Sequence, residues 1–316
     1  MAGDSLKAAL LVNVSIGIIK TIIGLITGSA AMIAEAYHSF ADSFNQILLA
    51  LGIRGSKKQP DLEHPFGYKK VQFFWAFIVA VLIFGVSGTL AVYEGISILL
   101  GEAHQVDTEI GVFGWQLAVL AIAAVLEGFA LRTALREANE YRYEVGSESL
   151  LGAVQEMQDP VLMSLLVEDS LALAGLLIAF IGSVITFITH NPVIDGITSL
   201  IIGIVLMIGG ILLAKENQTY LVGKSVSWRL QSQIKAVVDA NPSVAEVRQM
   251  KTMLMGPDDL ILVLDIVFTA SSKMEGEIGT ADDIDQLEQE LIAAIPILKA
   301  DHIFIESQLQ ELPESS

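Results

Sequence analysis

The sequence predicts an α-helical membrane protein: six transmembrane helices followed by a small α+β domain. Three observations carry this reading. The 316 residues are 53% hydrophobic and 17% charged, where a soluble domain carries roughly 25% charged residues. Residues 1–221 are apolar stretches separated by short polar loops, and a bilayer core takes about 20 apolar residues as helix. From residue 222 to 316 the composition turns mixed, with both helical and strand periodicity. Composition also excludes some classes. A net charge of −18, from 18 Lys+Arg against 36 Asp+Glu, argues against a nucleic-acid partner. With no Cys there are neither disulfides nor thiolate metal sites.

The apolar stretches divide into helices over 6–27, 30–53, 70–99, 112–138, 160–189 and 192–214. Gly28-Ser29 separates the first two, with Ser29 placed as an N-cap. Asp159-Pro160 and Asn191-Pro192 each put a capping residue before a proline at the first helical position. The third, fourth and fifth helices exceed what the bilayer needs, so they are expected to tilt or protrude. The first stretch runs straight into the second, which does not fit a cleavable signal; a bacterial inner membrane is the expected location.

Orientation follows from Lys and Arg. Arg54, Lys57, Lys58, Lys69 and Lys70 follow helix 2; Arg132, Arg136 and Arg142 lie around the end of helix 4; Lys215 and Lys224 follow helix 6. The loops near 28–29, 100–111 and 190–191 carry neither residue. Both termini and the C-terminal domain are therefore expected in the cytoplasm.

In that domain, 226–240 reads as an amphipathic helix broken by Asn241-Pro242. Strands are expected over 244–254 and 259–269, around Gly256-Pro257-Asp258-Asp259, then a helix over 281–294 and a strand over 302–308. The order α-β-β-α-β suits helices on one face of a sheet. Both faces of strand 259–269 are apolar, so the uncovered face is expected to meet a partner.

Helix 2 carries ionisable residues at membrane depth, where they usually face a polar pathway. His38 and Asp42 are i, i+4 and share a face; Glu35 and Asn45 extend the stripe by a turn each way. Such a pair presents one nitrogen and one or two oxygens to a single cation, and two ligands from another helix would complete a tetrahedron. Helix 5 offers Glu168 and Asp169. Adjacent residues point about 100° apart on a helix, so one is expected to ligate directly and the other to pair elsewhere or sit at the edge. Glu35 is read as the partner of Lys20, or as lying at the outer mouth. Glu94 and Glu127 are read as structural or vestibular. His64, His104, His190 and His302 fall in loops or at element ends and read as solvated side chains.

The run Gly28-Ser29-Ala30-Ala31 through His38-Ser39-Phe40-Ala41-Asp42, with His64-Pro65-Phe66-Gly67-Tyr68 after helix 2, resembles the cation diffusion facilitators. The six-helix layout and small terminal domain match as well, so the resemblance covers essentially the whole chain. It implies a homodimeric exporter of divalent metal, usually zinc, in exchange for protons. The family's transport site takes a His/Asp pair at i, i+4 from helix 2 and another from helix 5. Helix 2 keeps its pair as His38 and Asp42. In helix 5, Asp169 fits the second position, but the first falls on Leu165, with Glu168 the nearby substitute. Asp42-Ser43-Phe44-Asn45-Gln46 and Glu168-Asp169 look most like the branch that includes the mitochondrial zinc transporter.

The resemblance implies metal ligands at His38, Asp42, Asp169 and Glu168, no prosthetic group, and a ferredoxin-like, metallochaperone-like terminal domain that dimerises. With only His302 and no Cys, that domain is expected to hold no structural zinc. One His with up to three carboxylates is a hard ligand set that also admits Mn²⁺, Fe²⁺ or Co²⁺. From another class, the alternative is a membrane receptor or scaffold acting through its terminal domain. A scaffold, however, has no need of His and carboxylates at membrane depth. No nucleophile–base pair or phosphate loop supports an enzyme.

Overall fold

The computed structural model describes residues 2–101, 110–144, 149–150, 153, 159–269 and 281–309. It falls into two compact units, one of 1–55 and 71–218, the other of 56–70 and 219–316. The first unit is helical: α1 (Ala2–Thr27), α2 (Ala30–Ser56), α3 (Val71–Leu82), α4 (Thr89–Leu99), α5 (Ile110–Glu144), α6 (Pro160–Thr189) and α7 (Pro192–Val222), the last running on into the second unit. Among the described residues four helices are long and apolar enough to cross a membrane: Val71–Leu99, Phe113–Tyr143, Pro160–Thr189 and Pro192–Val222. Among the described residues α1 contributes a shorter apolar stretch, Asn13–Thr27. In α2 the polar stripe from Glu35 to Asn45 interrupts the apolar run.

The helix starts follow the local chemistry. The Asp159 carboxylate accepts from the backbone N–H groups of Val161 (2.8 Å) and Leu162 (3.1 Å), and Asn191 Oδ1 accepts from that of Val193 (3.1 Å). Ser29 Oγ accepts from the Met32 N–H at 3.3 Å. A further cap was not expected. Asp195 of α7, buried, accepts from Ser29 Oγ at 2.8 Å and from the Ala30 N–H. The start of α2 is therefore satisfied by a side chain 165 residues away. Gln116 of α5 joins this knot, donating to Ser29 Oγ (3.3 Å) and Ser183 Oγ (2.7 Å).

The third expected helix is not uniform. A π-helical segment, Ile83–Gly88, separates α3 from α4, and such wide turns are most common at functional sites. Beside it α4 meets α7 backbone to backbone. A Cβ on Gly95 would come within 2.7 Å of the Gly196 carbonyl, and one on Gly203 within 2.8 Å of the Gly88 carbonyl. Ser199 Oγ donates to the Ala91 carbonyl at 2.8 Å between them. Small residues give this close approach in membrane bundles.

The second unit contains α8 (Trp228–Ala240), β1 (Val244–Gly256), β2 (Asp259–Phe268), α9 (Ala281–Ala294) and β3 (Leu298–Leu309), in the expected α-β-β-α-β order. The sheet order is β1-β2-β3, with β1 antiparallel and β3 parallel to the central β2. The parallel pairing needs the α9 crossover. Helices α8 and α9 pack on each other and against β1 and β3, covering the face of Leu260, Leu262, Leu264, Ile266 and Phe268.

Two expectations are corrected here. The opposite face of β2 is not open throughout, because Ile261 and Val267 are buried and Val263 alone among its apolar residues is exposed. Segment 56–70 reaches this face, with Phe66 edge-on to His302 and to Phe304 at centroid distances of 5.7 and 6.2 Å. His302 is not solvated. It is buried, with Nδ1 2.7 Å from Asp259 Oδ1, and Lys299 pairs with the other oxygen of Asp259. His302 lies inside β3 and is shielded by an aromatic from a loop over 230 residues earlier, which no local pattern shows.

Two outcomes follow. Asp195→Ala removes the acceptor at the start of α2 and should lower stability by about 2 kcal/mol, read as a lower thermal unfolding midpoint in detergent; Asp195→Asn should lose less. In segment 56–70, Asp61 accepts from Tyr68 Oη (2.6 Å), the His64 N–H (2.8 Å) and Lys58 Nζ (3.1 Å). These donors, the Tyr68 hydroxyl foremost, hold the Asp61 carboxyl below the usual carboxylate range. Its contribution is therefore complete above that range and lost as pH falls through the depressed value. Asp61→Asn should expose 56–70 to proteolysis at neutral pH, whereas the wild-type loop should open only in strong acid.

Candidate metal centre

The polar stripe of α2 meets α6 inside the helical unit. Glu35, His38, Ser39, Asp42 and Asn45 are all buried, and so is Glu168 of α6. The helices cross in antiparallel register. Glu35 lies against Gly175, where a Cβ would come within 2.5 Å of its Oε1, and seven residues earlier on α6 Glu168 faces Asn45.

His38 Nδ1 stands 3.5 Å from Asp42 Oδ1, an ion-pair distance without hydrogen-bond geometry. Asn45 Nδ2 donates to Glu168 Oε1 at 3.1 Å. The carboxyls of Asp42 and Glu168 are close enough to interact electrostatically. Five polar atoms in this group have no hydrogen-bond partner: both ring nitrogens of His38, Asp42 Oδ1, Asn45 Oδ1 and Glu168 Oε2. Buried polar atoms are nearly always satisfied, so a concentration of orphaned nitrogen and oxygen donors suits a cation.

Of the residues singled out in the sequence, the fold gathers His38, Asp42 and Glu168. Asp169 is half-buried, one step round the helix from Glu168. Among the described residues no three His, Asp or Glu side chains are gathered as a metal cage. Glu35 takes the partner expected for it, with Lys20 Nζ 3.2 Å from its Oε2. Glu94 and Glu127 are half-buried, His64 and His190 exposed, and His104 lies outside the described residues.

Beside the stripe, Tyr37, Phe40, Ala41, Phe44, Leu82, Val86 and Leu90 line a cavity of about 410 Å³ between α2 and the π segment. Asn45 borders both this cavity and Glu168.

Against known proteins, the model of the cation efflux transmembrane domain matches residues 6–222. The chain belongs to the cation efflux family. Its relatives include the mouse "Proton-coupled zinc antiporter SLC30A9, mitochondrial", 30% identical over 294 residues, which are 92% of this chain and 50% of that protein. "Metal tolerance protein C4" of Arabidopsis thaliana is 28% identical over 242 residues, 77% of this chain and 52% of that one. "Magnetosome protein MamM" of Paramagnetospirillum magneticum is 39% identical over 94 residues, covering 30% and 29%. The chain thus spans about half the length of the first two. Cation efflux proteins are integral membrane transporters rather than enzymes.

For this cation efflux protein the sequence placed Asn45 on the polar stripe without a role. Its role is to hold Glu168, and the signal was there in its spacing from Asp42, one turn further along. Asn45→Ala should leave Glu168 Oε1 without a donor and cost about 1–3 kcal/mol. A lower unfolding midpoint in detergent, absent in Asn45→Gln if the longer amide still reaches, is the expected result.

Proposed function

We propose that this cation efflux protein exports a divalent metal, zinc foremost, in exchange for protons by alternating access. The metal is held by His38, Asp42 and Glu168, with Asp169 turning in as the fourth ligand. The observation that carries this reading is the cluster of buried, unpartnered donor atoms between α2 and α6. The name of the mouse relative, a proton-coupled zinc antiporter, supports both cargo and coupling. A set of one imidazole and several carboxylates is harder than a two-His site and keeps Mn²⁺, Fe²⁺ and Co²⁺ as alternative cargo.

Exchange follows from the ligands themselves. A neutral imidazole and ionised carboxylates bind metal, so binding releases protons and protons compete for the emptied site. If the protonated, metal-free form can reorient, that competition suffices for antiport. The reading includes six spans. Helices α1 and α2, at 26 and 27 residues, are long enough for the bilayer, and the Lys/Arg asymmetry supports both termini lying in the cytoplasm. It also includes a homodimer. Phe66, Val263 and Phe304 are 40%, 40% and 44% exposed, an apolar patch on the second unit suited to a second copy.

Proteoliposomes loaded with a zinc-sensitive dye provide the test. Asp42→Ala should reduce flux by about 100-fold or more, and Glu168→Gln should be as severe. Asp169→Ala should also abolish flux. His38→Asp should keep some activity and favour Mn²⁺ over zinc. Wild-type zinc flux through Asp42→Ala would rule out this site.

A further inference from the structure

We infer that Glu35 and Ser39 form a second position for the divalent cation, one helical turn from His38, and that Lys20 is a tethered ammonium seated there while the metal is elsewhere. This rests on the transport reading above and adds a step to it.

Lys20 is 1% exposed in the interior of the helical unit. Its Nζ donates to Ser39 Oγ at 2.9 Å and to Glu35 Oε2 at 3.2 Å. The other carboxylate oxygen, Glu35 Oε1, is buried and has no partner. It is held against Gly175, and any side chain there would displace it. Glu127, half-buried on α5, lies within electrostatic reach of both Lys20 and Glu35. The position therefore offers a carboxylate with a free oxygen, a hydroxyl and a second carboxylate nearby, and a cation already occupies it.

An ion pair with a purely structural role in a low-dielectric bundle would be expected to satisfy every oxygen it buries. This one leaves an oxygen open on the stripe that leads to His38. Oxygen donors of this kind suit divalent ions. A metal moving from His38 along α2 meets Glu35 next, and it can stay only by displacing the ammonium. The four-carbon stem of Lys20 allows that swing, and its return repels the metal onward. Lys20 thus keeps the second position from becoming a trap.

Zinc binding to the full-length protein in detergent, by equilibrium dialysis, tests this. Asp42→Ala should bind no zinc. Lys20→Met combined with Asp42→Ala should regain about one zinc ion per chain, lost again when Glu35→Gln is added. A double variant that folds and binds no zinc overturns the inference. A wild type that binds no zinc sinks the transport reading instead, so the two failures are distinguishable. If Lys20→Met does not fold, Lys20→Gln with Glu35→Gln replaces the ion pair by a neutral hydrogen-bonded pair. Its maximal zinc flux should fall about tenfold or more. Wild-type flux in that variant would leave Lys20 and Glu35 as a structural pair and overturn the inference.

Discussion

Everything in the helical unit is arranged around one constraint: a charged side chain inside a bilayer-embedded bundle must find a partner. Helix α2 carries six buried polar residues in eleven positions, from Glu35 to Asn45. Three of them, Glu35, Ser39 and Asn45, find partners on other helices. Lys20 of α1 takes Glu35 and Ser39, and Glu168 of α6 takes Asn45. The start of α2 is held by Asp195 of α7. One polar helix thus dictates where three apolar ones must sit. Gly175 belongs to the same logic, because the carboxylate of Glu35 fills the space its side chain would need.

The packing on the far side answers a different need. Where α4 meets α7 there is little polarity to direct association, and small residues do the work. Gly95 faces Gly196, and Gly203 faces Gly88, each pair two turns apart along its helix. Close backbone approach supplies the dispersion contact that lipid cannot outcompete. Just before this seam the helix widens into the π segment, which lines the cavity beside Asn45. A tight seam thus lies on one side of this part of the unit and an open cavity on the other.

Much of this was readable in the sequence because the relevant physics is local. Proline after Asp159 and Asn191, the i, i+4 spacing of His38 and Asp42, and alternation along 259–268 are signals within one element. They gave helix and strand positions within a few residues, apart from longer ends on α2, α5 and α7 and an earlier start to β3. What stayed hidden were pairings between distant elements: Asp195 with Ser29, Phe66 with His302, Asn45 with Glu168. In each case both residues are visible and their meeting is not, since only the fold brings together positions more than 100 residues apart. The Lys20–Glu35 pair could be read because few ionisable residues lie at that depth.

Glu168 and Asp169 show how one helical step separates roles. At about 100° per residue only one of two neighbours can point into the seam between α2 and α6. The one that does is Glu168, 3% exposed and held by Asn45, while Asp169 is half-buried. The longer glutamate side chain also spans the seam, whereas Leu165, four residues before Asp169, has no donor atom. A family pattern with a ligand at each of two positions four apart on helix 5 is thereby replaced by two adjacent carboxylates of different reach. The inner one is already committed to the α2 stripe, and the outer one is free of hydrogen bonds within the seam. One carboxylate is thus fixed in the seam, and its neighbour stands one helical step round at the edge.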